Sequence, residues 1–168
     1  LCYDPHLKPY GACRLCIVEI EKMRGLPTAC TTPVADGMVV TTASPRINAM
    51  RRNIVELLLS DHPSDCLLCA KNGHCDLQKI AAYVGVRQMR FAGQKRSYAL
   101  DDSNPFYERD LERCILCGKC VRVCDEIQGR NAIFYAYRGF DAKISAVLDR
   151  PVAKYNCESC WQFVQFFT

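Results

Sequence analysis

The sequence predicts an α+β chain built from small modules rather than one large core, on three observations. Short β-branched runs separated by turn residues fill the opening segment. Apolar residues at helical spacing follow in the middle. Thirteen cysteines punctuate the 168 residues in ordered groups. Part of the 49% apolar content is cysteine itself, so the hydrocarbon core is modest and needs staples.

Taken in order, Ile17-Val18-Glu19-Ile20 reads as a strand, and Gly37 to Thr42 as another, reached through Pro33 and the Asp36-Gly37 turn. A complete module of this kind needs more strands to bury its faces, so residues 1–43 are expected to begin inside a domain. Ser44-Pro45 is a helix start, with serine as N-cap and proline in the first turn. Ile47, Met50, Ile54, Leu57 and Leu58 then recur at helical spacing. Pro63 disfavours helical geometry at His62, which places His62 in the following loop. A second helix is expected over Asp76 to Val84, with Leu77, Ile80, Ala81 and Val84 inward and Gly85 as its stop. Residues 44–85 therefore form a small helical module, and the polar residues 86–105 read as a linker. In the last module, 106–168, Val121 to Gln128 reads as a short helix ended by Gly129, and Ala132 to Tyr137 as a strand.

The chain opens without a basic start or apolar stretch, and Leu57-Leu58-Leu59 is far too short to span a membrane. Closely spaced cysteine pairs in such a chain read as metal sites rather than disulfides, so a reduced, cytoplasmic setting is expected. The net charge of +4 is mild. Arg87, Arg90, Lys95 and Arg96 form a basic stretch, expected to be a solvated face, and Lys119 and Arg122 lie among cysteines, where thiolates give them local partners. A nucleic-acid partner is not expected.

The cysteines fall into sets. Cys2, Cys13, Cys16 and Cys30 have a ten-residue first gap, unlike the plant-type spacing. Four thiolates suit a [2Fe–2S] cluster or a structural zinc ion. Gly11 introduces the loop and lets backbone amides approach the sulfurs. His62, Cys66, Cys69 and Cys75 suit a Cys3His zinc site or a [4Fe–4S] cluster with one imidazole ligand. His6 and His74 have no such support and read as ordinary polar residues. Cys114, Cys117, Cys120 and Cys124 form the bacterial ferredoxin run, whose fourth cysteine serves the other cluster of a pair. Asp125 stands where proline is usual. Cys157 and Cys160 are the available partners for Cys124.

Leu1 to Thr42, His62 to Gln78 and Asn104 to Gly129 together resemble the N-terminal iron–sulfur region shared by three kinds of large subunit. These belong to NAD-dependent formate dehydrogenases, NADH:quinone oxidoreductase (complex I) and multi-cluster [FeFe] hydrogenases. The wording around Cys30 and from Cys114 to Gly129, with Cys157-Glu-Ser-Cys160 opening a second ferredoxin motif, resembles the formate dehydrogenase branch most. The resemblance implies a β-grasp [2Fe–2S] domain, N-terminally truncated, held by Cys2, Cys13, Cys16 and Cys30. It implies next a [4Fe–4S] domain ligated by His62, Cys66, Cys69 and Cys75, then a C-terminally truncated two-[4Fe–4S] ferredoxin domain. It also implies electron transfer toward a molybdopterin domain later in the same chain and partner subunits with flavin and NAD. No residue matches a formate or nicotinamide site, so no catalytic residue is expected here.

One departure stands out. The family's second motif would place cysteines at Phe163 and Phe167. By the crossover rule, Cys114, Cys117 and Cys120 lose a fourth ligand at Phe167, and Cys124, Cys157 and Cys160 lose theirs at Phe163. Either both clusters are compromised, or rearranged cysteines hold one. A third reading is sequence error: Trp161, Phe163, Phe166 and Phe167 each lie one G-to-T change from the family's residue. Resequencing the source DNA tests it, and recovering the same codons would sink it.

Overall fold

The computed structural model describes residues 1–154 and 156–165, with Phe163 and Gln165 described by backbone alone. The expectations that concern Phe166, Phe167 and the Phe163 side chain lie outside the described residues. The chain divides into two compact units, one of Leu1 with Pro9–Lys95, the other of Cys2–Lys8 with Arg96–Thr168. Both are small mixed α/β assemblies.

In the first unit the strands are shorter than expected: β1, Glu19–Ile20, pairs antiparallel with β2, Val40–Thr41. A single bridge from Ile17 to Thr28 continues the pairing. Helix α1, Pro45–Asp61, begins as predicted: Ser44 is extended, and its hydroxyl accepts from the Ile47 amide at 3.1 Å. The helix ends at His62, whose extended backbone (φ −89°, ψ 145°) is the geometry Pro63 imposes on its predecessor.

The buried face of α1 differs from the predicted one. Ile47 and Val55 are buried, but so are Glu56 and Ser60, whereas Met50 and Leu57 are 42% and 55% exposed. The reason lies in residues 90–95, which run along this face. The Arg90 Nε–H donates to Glu56 Oε2 at 2.7 Å, and its Nη2 to Asn53 Oδ1 at 2.6 Å. Gly93 lies so close to Ser60 that a Cβ would stand 2.4 Å from the Ser60 carbonyl oxygen. Polar partners thus cover a polar stripe that hydrophobic periodicity does not register. Helix α2, Asp76–Tyr83, matches its prediction within a residue; Leu77 is buried, and Gly85 at φ +72° stops it.

The second unit contains two hairpins. Strand β3, Asp101–Asn104, falls inside the expected linker and pairs with β4, Tyr107–Arg109. Strand β5, Phe134–Ala136, pairs with β6, Lys143–Ser145, through Tyr135↔Ile144. Where an α-helix over Val121 to Gln128 was expected, α3 covers Lys119–Arg122 and runs into a π-helical turn, Val123–Ile127. The π register frees the Cys124 carbonyl to take the Arg130 amide at 2.9 Å, and such turns often mark functional sites. Helix α4 is Gln162–Gln165.

The core of this unit is Ile133, Ile144, Ala146 and Val152, with Cys114, Cys120, Cys124 and Cys157 packed against it. The cysteines are therefore one wall of the core. Among the described residues no helix is long and apolar enough to cross a membrane.

Candidate functional site: the cysteine loops

In the first unit, Cys13 and Cys16 lie on a loop where Arg14 takes φ +58°. The segment after Pro27 folds back against it: Val18 N–H donates to the Pro27 carbonyl and Ala29 N–H to the Cys16 carbonyl, both at 2.9 Å. That pairing brings the Cys16 and Cys30 sulfurs to 3.3 Å. Gly11 at φ +70° is crowded by threonine, since a Cβ there would meet Thr31 Cγ2 at 3.3 Å and Thr28 Oγ1 at 3.6 Å. From α1, Arg51 clamps the loop backbone, donating to the Leu15 carbonyl at 3.0 Å and the Ile17 carbonyl at 2.9 Å. Sequence reasoning missed Arg51; only its place on the helix turn after Ile47 could have signalled it.

In the same unit, His62 caps α1, a 3₁₀ turn spans Cys66–Leu68, and Cys75 is the N-cap of α2. The His62 Nδ1 lies 2.9 Å from the Pro63 carbonyl oxygen. A carbonyl can only accept, so the proton sits on Nδ1 and leaves the Nε2 lone pair available to a metal. This is the arrangement ligating histidines usually show.

In the second unit, Cys2 is buried and grouped with Cys2–Lys8, not with the other three members of its set. The buried Arg122 guanidinium donates to the Cys2 and Lys8 carbonyls, and Glu126 accepts from the Lys8 amide at 2.8 Å. Arg122 is thus a clamp on backbone carbonyls, where thiolate partners were expected. Arg96 likewise leaves the predicted solvated stretch to donate to the Cys114 carbonyl at 3.1 Å.

Cys114, Cys117 and Cys120 lie within electrostatic reach of one another. Burial, and then the neighbouring Cys114 and Cys117, push the Cys120 thiol up to about 12. Burial raises Cys114 as well, against the Leu116 amide that donates to its sulfur at 3.4 Å. The raised Cys114 and Cys120 thiols stay protonated without a cation, so loading iron on them must release protons. Gly118, at φ +71°, opens α3, and a Cβ there would stand 2.0 Å from the Tyr135 hydroxyl, which donates to the Leu116 carbonyl at 3.2 Å.

Cys124, Cys157 and Cys160 line one cavity together with Ile133, Val152 and the Arg130–Glu158 ion pair. The Ala132 amide donates to the Cys124 sulfur at 3.2 Å. The Tyr107 hydroxyl lies 3.3 Å from the Cys157 sulfur, and burial followed by this contact holds the phenol well above its usual range. Asn104 donates to the Ser159 hydroxyl at 2.6 Å. Both residues come from the β3–β4 hairpin, whose strand β3 the sequence reading assigned to a linker.

The two Cys-x2-Cys loops of this unit repeat each other. Leu116 and Ser159 both take positive φ before the second cysteine, and Gly118 and Trp161 both take it after, at +71° and +59°. Helices α3 and α4 then start at matching places. Glycine adopts this conformation freely, whereas tryptophan does so only under strain. Trp161 therefore occupies a glycine's place and leans on Phe106, with ring centroids 6.1 Å apart.

Among the described residues, no three His, Cys, Asp or Glu side chains converge closely enough to hold a single metal ion. The sulfur-lined loops, with amides aimed at the Cys114 and Cys124 sulfurs, are a donor set that fits an iron–sulfur cluster.

Three family models match in succession along the chain. Residues 1–45 match a 2Fe-2S iron–sulfur cluster binding domain, and residues 51–90 the NADH-ubiquinone oxidoreductase-G iron–sulfur binding region. Residues 104–165 match the ferredoxin-like domain of NADH-quinone oxidoreductase subunit 3. Matched in this order along its length, the chain is similar to the iron–sulfur region of NADH-quinone oxidoreductase G and NAD-reducing hydrogenase-type large subunits. This iron–sulfur region is 40% identical to an NADP-reducing hydrogenase subunit, HndD, of Solidesulfovibrio fructosivorans, over 92% of the chain and 26% of that protein. It is 37% identical to the G 2 polypeptide of the NADH-quinone oxidoreductase of Rhizobium meliloti, over 95% of the chain and 19% of that protein. It therefore spans about a quarter or less of these relatives. Among solved structures, an NAD+-reducing [NiFe]-hydrogenase in the H2-reduced state superposes with a TM-score of 0.86 at 29% identity, covering 95% of this chain and 67% of that one.

Proposed function

We propose that this chain moves electrons, one at a time, through iron–sulfur clusters inside a larger NAD(P)-linked oxidoreductase or hydrogenase subunit. The observation that carries the reading is the setting of the sulfurs. Loops with left-handed residues present cysteines in sets, and the amides of Leu116 and Ala132 and the Tyr107 hydroxyl point at their sulfurs. Such bonds tune a cluster's potential. The proposed ligands are Cys2, Cys13, Cys16 and Cys30 for a [2Fe–2S] cluster, and His62, Cys66, Cys69 and Cys75 for a [4Fe–4S] cluster. Cys114, Cys117 and Cys120 form a third set, and Cys124, Cys157 and Cys160 a fourth. The bound clusters would supply one-electron chemistry; the chain ligates them, spaces them and aims backbone amides at the Cys114 and Cys124 sulfurs.

The proposed division remains 1–43, 44–85 and 106–168, in a cytoplasmic protein with flavin- and NAD-binding partner subunits. The wording of two segments and the Cys157-Glu-Ser-Cys160 opening resemble formate dehydrogenase most. The relatives named above support the alternative instead, a quinone oxidoreductase or hydrogenase subunit. A molybdopterin domain belongs only to the formate reading.

His62→Ala tests the least conventional ligand. EPR of the reduced, loaded chain is expected to lose or alter one [4Fe–4S] signal while the [2Fe–2S] signal stays intact. Identical spectra would remove His62 from the ligand set.

A further inference from the structure

Helix α1 ends at Asp61, two residues after Leu59, and its last carbonyls lie at the C-terminal, negative end. No basic residue lies in its own last turn. The missing cation arrives from elsewhere in the first unit. The Lys95 ammonium donates to the Leu59 carbonyl at 3.4 Å and makes a shorter bond to the His62 carbonyl. It is delivered there by the segment along α1: Arg90 is fixed to Glu56 and Asn53, and Gly93 lies against Ser60. His62 is consequently held at three points. Its amide donates to the Leu59 carbonyl at 3.2 Å, its Nδ1 faces the Pro63 carbonyl, and its own carbonyl accepts from Lys95.

We infer that Lys95 is a positioning residue for the His62 imidazole and sets the electrostatic potential at the group His62 ligates. The inference rests on the proposed ligation by His62. It follows from charge and place: one ammonium, carried by residues 90–95, caps the helix end and grips the ligand's backbone. A fixed positive charge beside a one-electron centre favours the reduced, more negative form. Removing it makes that centre harder to reduce. Elsewhere in the chain the effect fades with distance and screening.

The test is an EPR-monitored redox titration of the loaded chain as Lys95→Met and Lys95→Arg, with His62→Ala as control. In Lys95→Met, the reduced-to-oxidised ratio of the His62-dependent signal at fixed potential is expected to fall by roughly tenfold, about 59 mV for a one-electron couple. The other signals keep their midpoints, and Lys95→Arg stays near the parent. A Lys95→Met midpoint equal to the parent's, with a His62-dependent signal present, overturns the inference and leaves the ligation standing. A Lys95→Arg midpoint shifted as far as that of Lys95→Met also overturns it. If His62→Ala changes no signal, the ligation itself fails and the inference falls with it.

Discussion

Stripping iron from the loaded chain with a chelator is expected to abolish its cooperative thermal transition and most of its near-ultraviolet circular dichroism. The physical case lies in how little else holds the fold. The three hairpins have strands of two to four residues, far below what stands alone in water. In the second unit the core residues Ile133, Ile144, Ala146 and Val152 pack against cysteines, so the ligands are also core side chains. Without a cation, Cys114 and Cys120 become buried, crowded thiols with no iron to cross-link their loops. Metal-binding energy in such small modules is folding energy, on the order of ten kcal/mol for a structural metal. Helix α1, with its serine cap and seventeen residues, retains part of its far-ultraviolet signal. A chelated sample with unchanged dichroism and melting would contradict this account of stability.

Gly118→Ala is expected to be strongly damaging. The residue sits at φ +71°, where a non-glycine residue costs roughly 1–3 kcal/mol. Its new methyl would also overlap the Tyr135 hydroxyl at 2.0 Å and ring carbon Cζ at 2.9 Å. A ring cannot fold away as a lysine tip can, so the whole Tyr135 side chain must move, at roughly another 1–3 kcal/mol. Moving it breaks the bond to the Leu116 carbonyl, inside the loop that carries Cys114 and Cys117. Iron bound per chain and the melting temperature should both fall. Adding Tyr135→Ala should recover part of the iron loading, because the clash is gone while the backbone strain remains. Full loading in Gly118→Ala alone would show that the Cys114–Cys120 loop tolerates a different shape.

What the sequence made legible was local. Ser44-Pro45 and Pro63 bound α1 to the residue, because capping and pre-proline sterics act within a few positions. The ligand sets were readable for the same reason: their spacing is itself short-range. Contacts between distant segments were not. Arg90, Lys95 and Arg96 looked like solvated charges and Arg122 like a partner of nearby thiolates, yet they reach Glu56, His62, Cys114 and the Cys2 carbonyl across the chain. Hydrophobic periodicity on α1 pointed to Met50 and Leu57 because it has no term for a polar stripe covered by polar partners. Tyr107 and Asn104 lie on a hairpin so short and charged that it read partly as linker, although both touch the Cys157–Cys160 loop. That Trp161 stands where the family has glycine shows in the sequence; the left-handed backbone it shares with Gly118 shows only in the angles.

The central claim is that these cysteines hold iron–sulfur clusters. It is tested most directly by metal and sulfide analysis of anaerobically purified chain, with EPR after dithionite reduction. The account predicts iron and acid-labile sulfide together, with both [2Fe–2S] and [4Fe–4S] signals. Colourless protein containing zinc, without sulfide and EPR-silent on reduction, would contradict it.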